Sequence, residues 1–296
     1  MTQPSVIGLD IGRSAIKAVQ LRPSDKGPAV EGRLLIERSS GGANPTPAEA
    51  ERLSRAMDRR GMSATRVVMV APSDALVAAS VDVPPMDSKV PRDKIVEMEL
   101  CRTQRLTPGT FELAWWDLPK SASGATITQA HALALPHNAI EETLEILAGI
   151  DLNVIRTVSG SMAHSALAQR HPIDPRCISA VLDLGTTQGH LSLMYAGRVV
   201  HERGLPDFNP LDVRRQFAST LGIDEPTAKR AIGRYGISDE PSGSVACVSA
   251  SLLGEALGVD RVELVHIDNG LMRKGESRRV IEELAELGLE KSVHLI

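Results

Sequence analysis

Aromatic side chains are nearly missing from this sequence: three Phe, two Tyr and two Trp make up 2% of its 296 residues. The core must therefore be built from Val, Leu, Ile, Met and Ala, and a surface that stacks the bases of a single strand is argued against. Cysteine is equally sparse. Cys101, Cys177 and Cys247 are far apart, odd in number and without metal-ligand spacing, which excludes a disulfide framework and points to a reducing, cytoplasmic compartment. No apolar run reaches the roughly eighteen residues of a membrane span, and the first residues carry no secretory apolar region, so direct membrane insertion is not expected. Charge of one sign is lacking too. A formal net charge of -4 gives no global attraction to nucleic acid or to an acidic bilayer.

What is present is ample apolar content. At 42% hydrophobic residues the chain can bury a proper core, and its length suits one large bilobal domain or two ordinary ones. The opening stretch, Val6-Ile-Gly-Leu-Asp-Ile-Gly-Arg-Ser-Ala-Ile-Lys17, predicts a strand, a tight turn and a second strand. Asp10 is the residue that needs a reason. A carboxylate after Val6, Ile7 and Leu9 sits at the mouth of a buried strand, where an unpaired charge is costly, so it should meet a cation or a polar cleft. The Gly12-Arg13-Ser14 turn behind it offers backbone N–H groups of the kind that hold phosphate.

Periodicity then predicts a strand over 29–37, a loop over 40–47, a helix over 48–60 with Leu53, Ala56 and Met57 at helical spacing, and a strand over 67–71. Residues 73–118 behave differently and read as an inserted subdomain: a strand at 77–83, a helix at 94–104 and a strand at 112–118 bearing Trp115 and Trp116. These adjacent rings should lie on opposite faces of that strand. A strand over 126–135, a helix over 138–148, a strand over 154–158 and a small-residue helix over 160–169 close a first lobe.

A second lobe opens with Ile178-Ser-Ala-Val-Leu-Asp-Leu-Gly-Thr-Thr187, which repeats the logic of the first stretch. Again an apolar strand delivers an aspartate, Asp183, followed by the turn Gly185-Thr186-Thr187. Strands over 190–195 and 198–205 follow. An Asp-x-Gly at a strand end is also a simple turn former; its recurrence, each time at the head of a three-stranded meander, is the internal signal. It predicts two related lobes across a cleft, with phosphates between the turns.

With these residues in view, the chain resembles the actin-like ATPase superfamily and, within it, the PilM family of type IV pilus assembly proteins. The resemblance rests on Asp10-Ile-Gly-Arg-Ser-Ala-Ile-Lys17, on Val181-Leu-Asp-Leu-Gly-Thr-Thr187, on Tyr195-Ala-Gly-Arg-Val-Val-His-Glu-Arg203 and on residues 208–236. It covers residues 5–236. The fold it implies is α/β, an actin-like (ribonuclease H-like) two-lobed fold: a first lobe over 1–177 with the insert at about 73–118, a second lobe over 178–240, and a C-terminal β-α-β segment over 241–296. It further implies ATP and Mg²⁺ as ligands. Asp10 and Asp183 would be the metal-side carboxylates, acting through water. Gly12, Arg13 and Ser14, with Lys17 nearby, would form one phosphate turn, and Gly185, Thr186 and Thr187 the other. Lys17 also fits a solvated strand lysine. Arg13 replaces the small hydroxyl residue that the family carries there, and either strengthens phosphate binding or blocks the pocket.

Residues 243–296 resemble another family locally. Val262-Glu-Leu-Val-His-Ile-Asp-Asn-Gly-Leu-Met-Arg-Lys-Gly-Glu-Ser277 is similar to the ATP-pyrophosphatase domain of GMP synthetase. That family's pyrophosphate loop has its counterpart in Pro241-Ser-Gly-Ser-Val-Ala-Cys-Val248, which lacks the second Gly, the Asp and the Ser. A strand, turn, helix and strand over 261–296 also supply the order that the second actin-like lobe needs, so this segment is expected to complete that sheet. The actin-like adenosine signature, Gly-Gly-small-Ala, is missing. The implied function is a cytoplasmic scaffold for type IV pilus or type II secretion assembly, peripheral to the inner membrane, at most a weak ATPase. It would bind ATP weakly or in degenerate fashion and capture the N-terminal cytoplasmic peptide of an inner-membrane assembly protein. A GMP synthetase-related ATP-pyrophosphatase and a chimeric or truncated gene product are the alternatives.

Overall fold

A computed structural model describes residues 4–25, 27–83, 91–119, 128–169, 177–205, 210–228, 262–266 and 293–295. The chain divides into two compact units, Met1–Ala163 and His164–Ile296, where the sequence places the lobe boundary at 177. In the first unit the strands β1 (Val6–Ile11), β2 (Ala15–Arg22), β3 (Ala29–Glu37), β4 (Arg66–Val70) and β8 (Asn153–Val158) form one sheet in the order β3-β2-β1-β4-β8. The meander β1-β2-β3 is antiparallel, and β4 and β8 add on parallel. A crossover is needed before each parallel strand. Helix α1 (Pro47–Arg59) lies in the first crossover.

α1 forms where the sequence gives it a complete start and stop. Thr46 accepts from the Glu49 N–H while the Glu49 carboxylate accepts from the Thr46 N–H, and Pro47 occupies the first helical position, so two orphan donors are satisfied at once. Gly61 at φ +66° ends the helix in a left-handed turn that disfavours any other residue. Leu53 and Met57 share the face that packs on Ile7, Leu9, Ile16, Val67 and Met69, all buried. Apolar spacing of three and four residues places them there.

A second, three-stranded sheet has the order β5-β7-β6, with β5 (Val77–Val83), β6 (Phe111–Asp117) and β7 (Thr128–Pro136) all antiparallel. The sequence leaves β7 outside the insert, yet it is the central strand here, so this sheet draws on residues up to Pro136 and beyond 118. Ala130, Ala132 and Ala134 alternate on one face of β7. Their small side chains let helix α2 (Arg92–Gln104) lie close, with Val96 and Leu100 fully buried against Val81, Val83 and Phe111. Arg105, at φ 57°, terminates α2. Trp115 and Trp116 do point to opposite faces: the Trp115 indole N–H donates to Asp93 (2.8 Å), the Arg92 guanidinium stacks over its ring, and Trp116 packs on His131 with centroids 5.1 Å apart. Neither ring is fully exposed.

The helix expected over 138–148 is interrupted. A 3-10 turn at His137–Ala139 is separated from α3 (Glu141–Ala148) by Ile140 at φ -127°, whose side chain enters the core. Helix α4 spans Gly160–Ala168.

The second unit repeats the first. Strands β9 (Ile178–Leu184), β10 (Gly189–Tyr195) and β11 (Arg198–Leu205) form an antiparallel meander, β12 (Val262–His266) pairs parallel with β9, and β13 (Val293–Leu295) pairs parallel with β12. The order β11-β10-β9-β12-β13 is that of the first sheet. The C-terminal strands thus belong to the sheet led by Ile178, as their predicted order requires; the helix expected over 276–287, with Ile281, Leu284 and Leu287, lies outside the described residues, as does the loop over 241–248. Helix α5 (Pro210–Leu221) follows the meander. Among the described residues no helix is long and apolar enough to cross a membrane.

Candidate functional site

The first turn is set by strand register. Asp10 on β1 and Lys17 on β2 are direct cross-strand partners, so both side chains leave the same face. The Lys17 ammonium lies 3.1 Å from the Asp10 carboxylate, and both side chains are about two-fifths exposed (38% and 41%). The carboxylate at the strand mouth has therefore met a cation within its own hairpin. Between them the chain reverses over Gly12, Arg13 and Ser14, closed by the Gly12 N–H donating to the Ala15 carbonyl at 2.9 Å. A Cβ at Gly12 would stand 3.2 Å from that carbonyl oxygen. Arg13 does not fold back over the turn's interior: its guanidinium pairs with Asp74, beyond the end of β4.

Two residues absent from the sequence-based site hold this turn. Arg38, immediately after β3, has a side chain with no solvent exposure. Its Nη1 donates to the carbonyls of Gly12 (2.7 Å) and Gly42 (2.9 Å), its Nη2 donates to the carbonyl of Asn44 and to Ser40 Oγ, and its backbone N–H donates to the Ser14 carbonyl (2.8 Å). The charge is matched by Glu49 at 3.2 Å, itself 3% exposed. Burial pushes the Glu49 carboxyl up, but hydrogen bonds from the Thr46 N–H, from Arg38 and from Ser40 outweigh it and bring the pKa down to about 2. A buried charge is sustained only by such complete pairing. The capping box Thr46-Pro-Ala-Glu49 is legible as a helix start; that its carboxylate also holds an arginine under the turn is not.

The second turn is built alike. Asp183, near the end of β9, is exposed, and its cross-strand partner is His190. His190 Nε2 lies 3.2 Å from the carboxylate of the buried Glu202 on β11. Gly185 opens the turn, and a Cβ there would stand 2.8 Å from the Gln188 carbonyl oxygen, so no side chain fits without displacing backbone. Thr186 and Thr187 are half-buried. Here the Leu211 N–H in the first turn of α5 donates to the Thr186 carbonyl at 3.2 Å. In both units the helix that follows the meander is thus tied to the turn, directly in the second and through Glu49 and Arg38 in the first.

Each predicted site residue therefore falls in one of two turns. Asp10, Gly12, Arg13, Ser14 and Lys17 are grouped in the first unit, and Asp183, Gly185, Thr186 and Thr187 in the second. Among the described residues no group of three or more His, Cys, Asp or Glu side chains is arranged to enclose a metal ion. On α2, burial, with Glu97 nearby, pushes the Cys101 thiol up, which keeps it protonated.

No protein-family model matches the chain. Its fold is similar to that of solved structures. A chain of the PilM-PilN type IV pilus biogenesis complex superposes with a TM-score of 0.72 at 20% identity, covering 98% of this chain and 88% of that chain. The ethanolamine utilization protein EutJ from Carboxydothermus hydrogenoformans superposes with a TM-score of 0.54 at 14% identity, covering 100% of this chain and 85% of that chain. The fold is accordingly the α/β actin-like ATPase fold.

Proposed function

We propose that this protein is an actin-fold scaffold of type IV pilus or type II secretion assembly, binding Mg²⁺ and ATP weakly and docking the cytoplasmic N-terminal peptide of an inner-membrane assembly protein. The observation that carries the reading is the duplicated sheet, in which each unit ends its first strand on an aspartate and a glycine turn, within a fold similar over nearly all of its length to a chain of the PilM-PilN complex. Asp10 and Asp183 are the metal-side carboxylates of this proposal. Gly12, Arg13, Ser14 and Lys17 bind phosphate oxygens at one turn, and Gly185, Thr186 and Thr187 at the other.

The present pairing sets the energetic terms. Lys17 and Asp10 are too exposed for their bond to contribute more than about 1 kcal/mol, so both groups can exchange each other for a ligand at little cost. Mg²⁺ supplies charge that lets a carboxylate and a phosphate share one site.

The test is thermal unfolding with and without millimolar Mg·ATP for the parent, Asp10→Ala and Asp183→Ala, together with titration of a synthetic peptide spanning the cytoplasmic segment of a PilN-type protein from the same organism. A ligand bound only to the native state raises its stability. The parent should be stabilised by Mg·ATP and both variants should lose that gain while unfolding near the parent's temperature without nucleotide. Absence of any shift in the parent removes the nucleotide part, and a peptide that does not bind removes the docking part.

A further inference from the structure

The two faces of the first sheet are covered unequally. Its inner face is closed by α1 and carries Ile7, Leu9, Ile16 and Val67 in the core. On the outer face, Arg33, Val19, Gly8, Val68 and Arg156 are successive cross-strand partners that run across all five strands, and none of them is buried. The neighbouring rows of this face are as open: Val30, the partner of Leu21, is 63% exposed, and Leu35, the partner of Lys17, is 41% exposed. A sheet buries its apolar faces against another layer, and one left to water marks an interaction surface.

The second sheet shows the same face closed. Counted from Asp183 as those residues are counted from Asp10, its matching rows are Val181, Ser192 and Glu202, then Ser179, Met194 and Val199. Every one of them is buried. A helix reaches that meander: Ser165 of α4 and the following Gln169 donate to the Gly197 carbonyl in the turn between β10 and β11. We propose that the outer face of the first sheet docks an amphipathic α-helix of a partner protein, one with carboxylates along both flanks of its apolar stripe. Docking there needs neither the nucleotide nor the peptide proposed above.

Charge selects this occupant. Arg33 and Arg156 make no ion pair or hydrogen bond among the described residues, whereas Asp10 on the same face is already held by Lys17. Arg33 stands on β3 and Arg156 on β8, the two edges of the sheet. With strands about 4.8 Å apart, each edge lies about 10 Å from the midline at β1, and a helix with its side chains is about 10–12 Å wide. A helix laid along β1 therefore has an arginine within side-chain reach of either flank. Gly8 makes room for it. With no side chain between Val19 and Val68, the central strand is the floor of a shallow trough, where an added Cβ would meet only Val19, at 3.3 Å.

Length and chemistry agree with this geometry. The eight residues of β2 span about 26 Å, which a helix of about eighteen residues matches. Apolar side chains at i, i+3, i+4 and i+7 would fill the trough, and glutamates beside them would meet the arginines at its rims. A bilayer fits less well, because none of the five strands carries the Trp or Tyr that anchors a protein at a membrane interface.

The experiment uses the full chain and two synthetic helical peptides of about eighteen residues that share one leucine stripe and carry either glutamate or lysine on both flanks. Binding to the parent and to the paired Arg33→Glu, Arg156→Glu variant is titrated calorimetrically, and the amide signals of Gly8, Val19 and Val68 are followed by NMR. Both arginines are exposed, so the variant should keep the parent's circular dichroism. The glutamate peptide should bind the parent at least about tenfold more tightly than the lysine peptide and move those amide signals, and the variant should reverse the preference. Equal binding of the two peptides, binding of neither, or binding that leaves those signals unmoved overturns the proposal, as does a variant that keeps the parent's preference. A parent dimer, or adsorption to phosphatidylserine vesicles, that the paired variant abolishes overturns it too, because the face would then belong to a second copy or to a lipid surface.

Discussion

Glu49 and Arg38 form an ion pair of 3.2 Å with side chains 3% and 0% exposed, and through it the first turn of α1 is tied to the carbonyl of Gly12. The pair joins a helix cap, a strand end and the candidate phosphate turn in one buried network, so its loss should be felt both in stability and at the site.

The pH dependence has a definite sign. The Glu49 carboxyl is lowered from the usual 4.5 to about 2 in the folded chain. A group with a depressed folded pKa contributes stability that is complete above the unfolded value and is lost as pH falls toward the folded one. Urea unfolding should therefore show a loss of about 3 kcal/mol between roughly pH 4.5 and pH 2 that is absent from the paired Arg38→Met, Glu49→Met variant. Equal acid sensitivity in both proteins would show that other carboxylates govern it.

Glu49→Gln alone should be worse than the double change. It leaves the Arg38 guanidinium buried without its counter-charge, a cost of about 3–5 kcal/mol. Comparison of urea midpoints for the single and double variants decides it: a single variant as stable as the double one would mean that Arg38 reaches solvent in the folded state.

The two turn glycines should respond unequally to alanine. At Gly185 the new Cβ would stand 2.8 Å from the Gln188 carbonyl oxygen, and at Gly12 3.2 Å from that of Ala15; the first requires backbone to move and the second only a small adjustment. Gly185→Ala should cost more than Gly12→Ala in thermal unfolding, the larger cost being of the order of 1–3 kcal/mol. The reverse order would show that the second turn yields easily.

Leu53 is wholly buried on the α1 face that covers the first sheet. Leu53→Ala should lower the unfolding free energy by about 2–5 kcal/mol, read from the shift in urea midpoint at constant slope. A loss below about 1 kcal/mol would place the helix elsewhere than on this core.

Tryptophan fluorescence reports one sheet only, because both tryptophans of the chain, Trp115 and Trp116, lie on β6. Trp115→Phe removes the indole bond to Asp93 and weakens the stacking of Arg92, so it should cost about 1 kcal/mol and leave Trp116, packed on His131, as the sole emitter. A midpoint by fluorescence that differs from that by circular dichroism would show that the three-stranded sheet unfolds separately from the rest.

The sequence carried the strands and helices well because their signals are local. An apolar run bounded by Gly or Pro gave β5 and β11 their limits to the residue, and the helical spacing of Leu53, Ala56 and Met57 placed the start of α1 within one residue. The duplication was legible too, since an aspartate and a glycine at the end of an apolar strand are visible without coordinates, and the common order of the two five-stranded sheets follows from repeating that unit. Where the reading missed, the deciding contact was distant in sequence. β7 became the centre of the small sheet because its alternating alanines fit under α2, and Ile140 broke a predicted helix because its side chain is buried in a core drawn from other elements.

Asp10, Gly12 and Lys17 were determined by the sequence alone as a hairpin with a charged mouth, because a period of two and one tight turn fix which residues face each other. Which partners Arg13 and the Gly12 carbonyl take was decided only by the tertiary structure. Arg13 turned to Asp74, 61 residues away, and Arg38 passed beneath the turn to join Gly12, 26 residues before it, to Glu49. The reason is physical: periodicity specifies a residue's face, whereas the partner of a charge is settled by desolvation and distance, which exist only once the chain has folded.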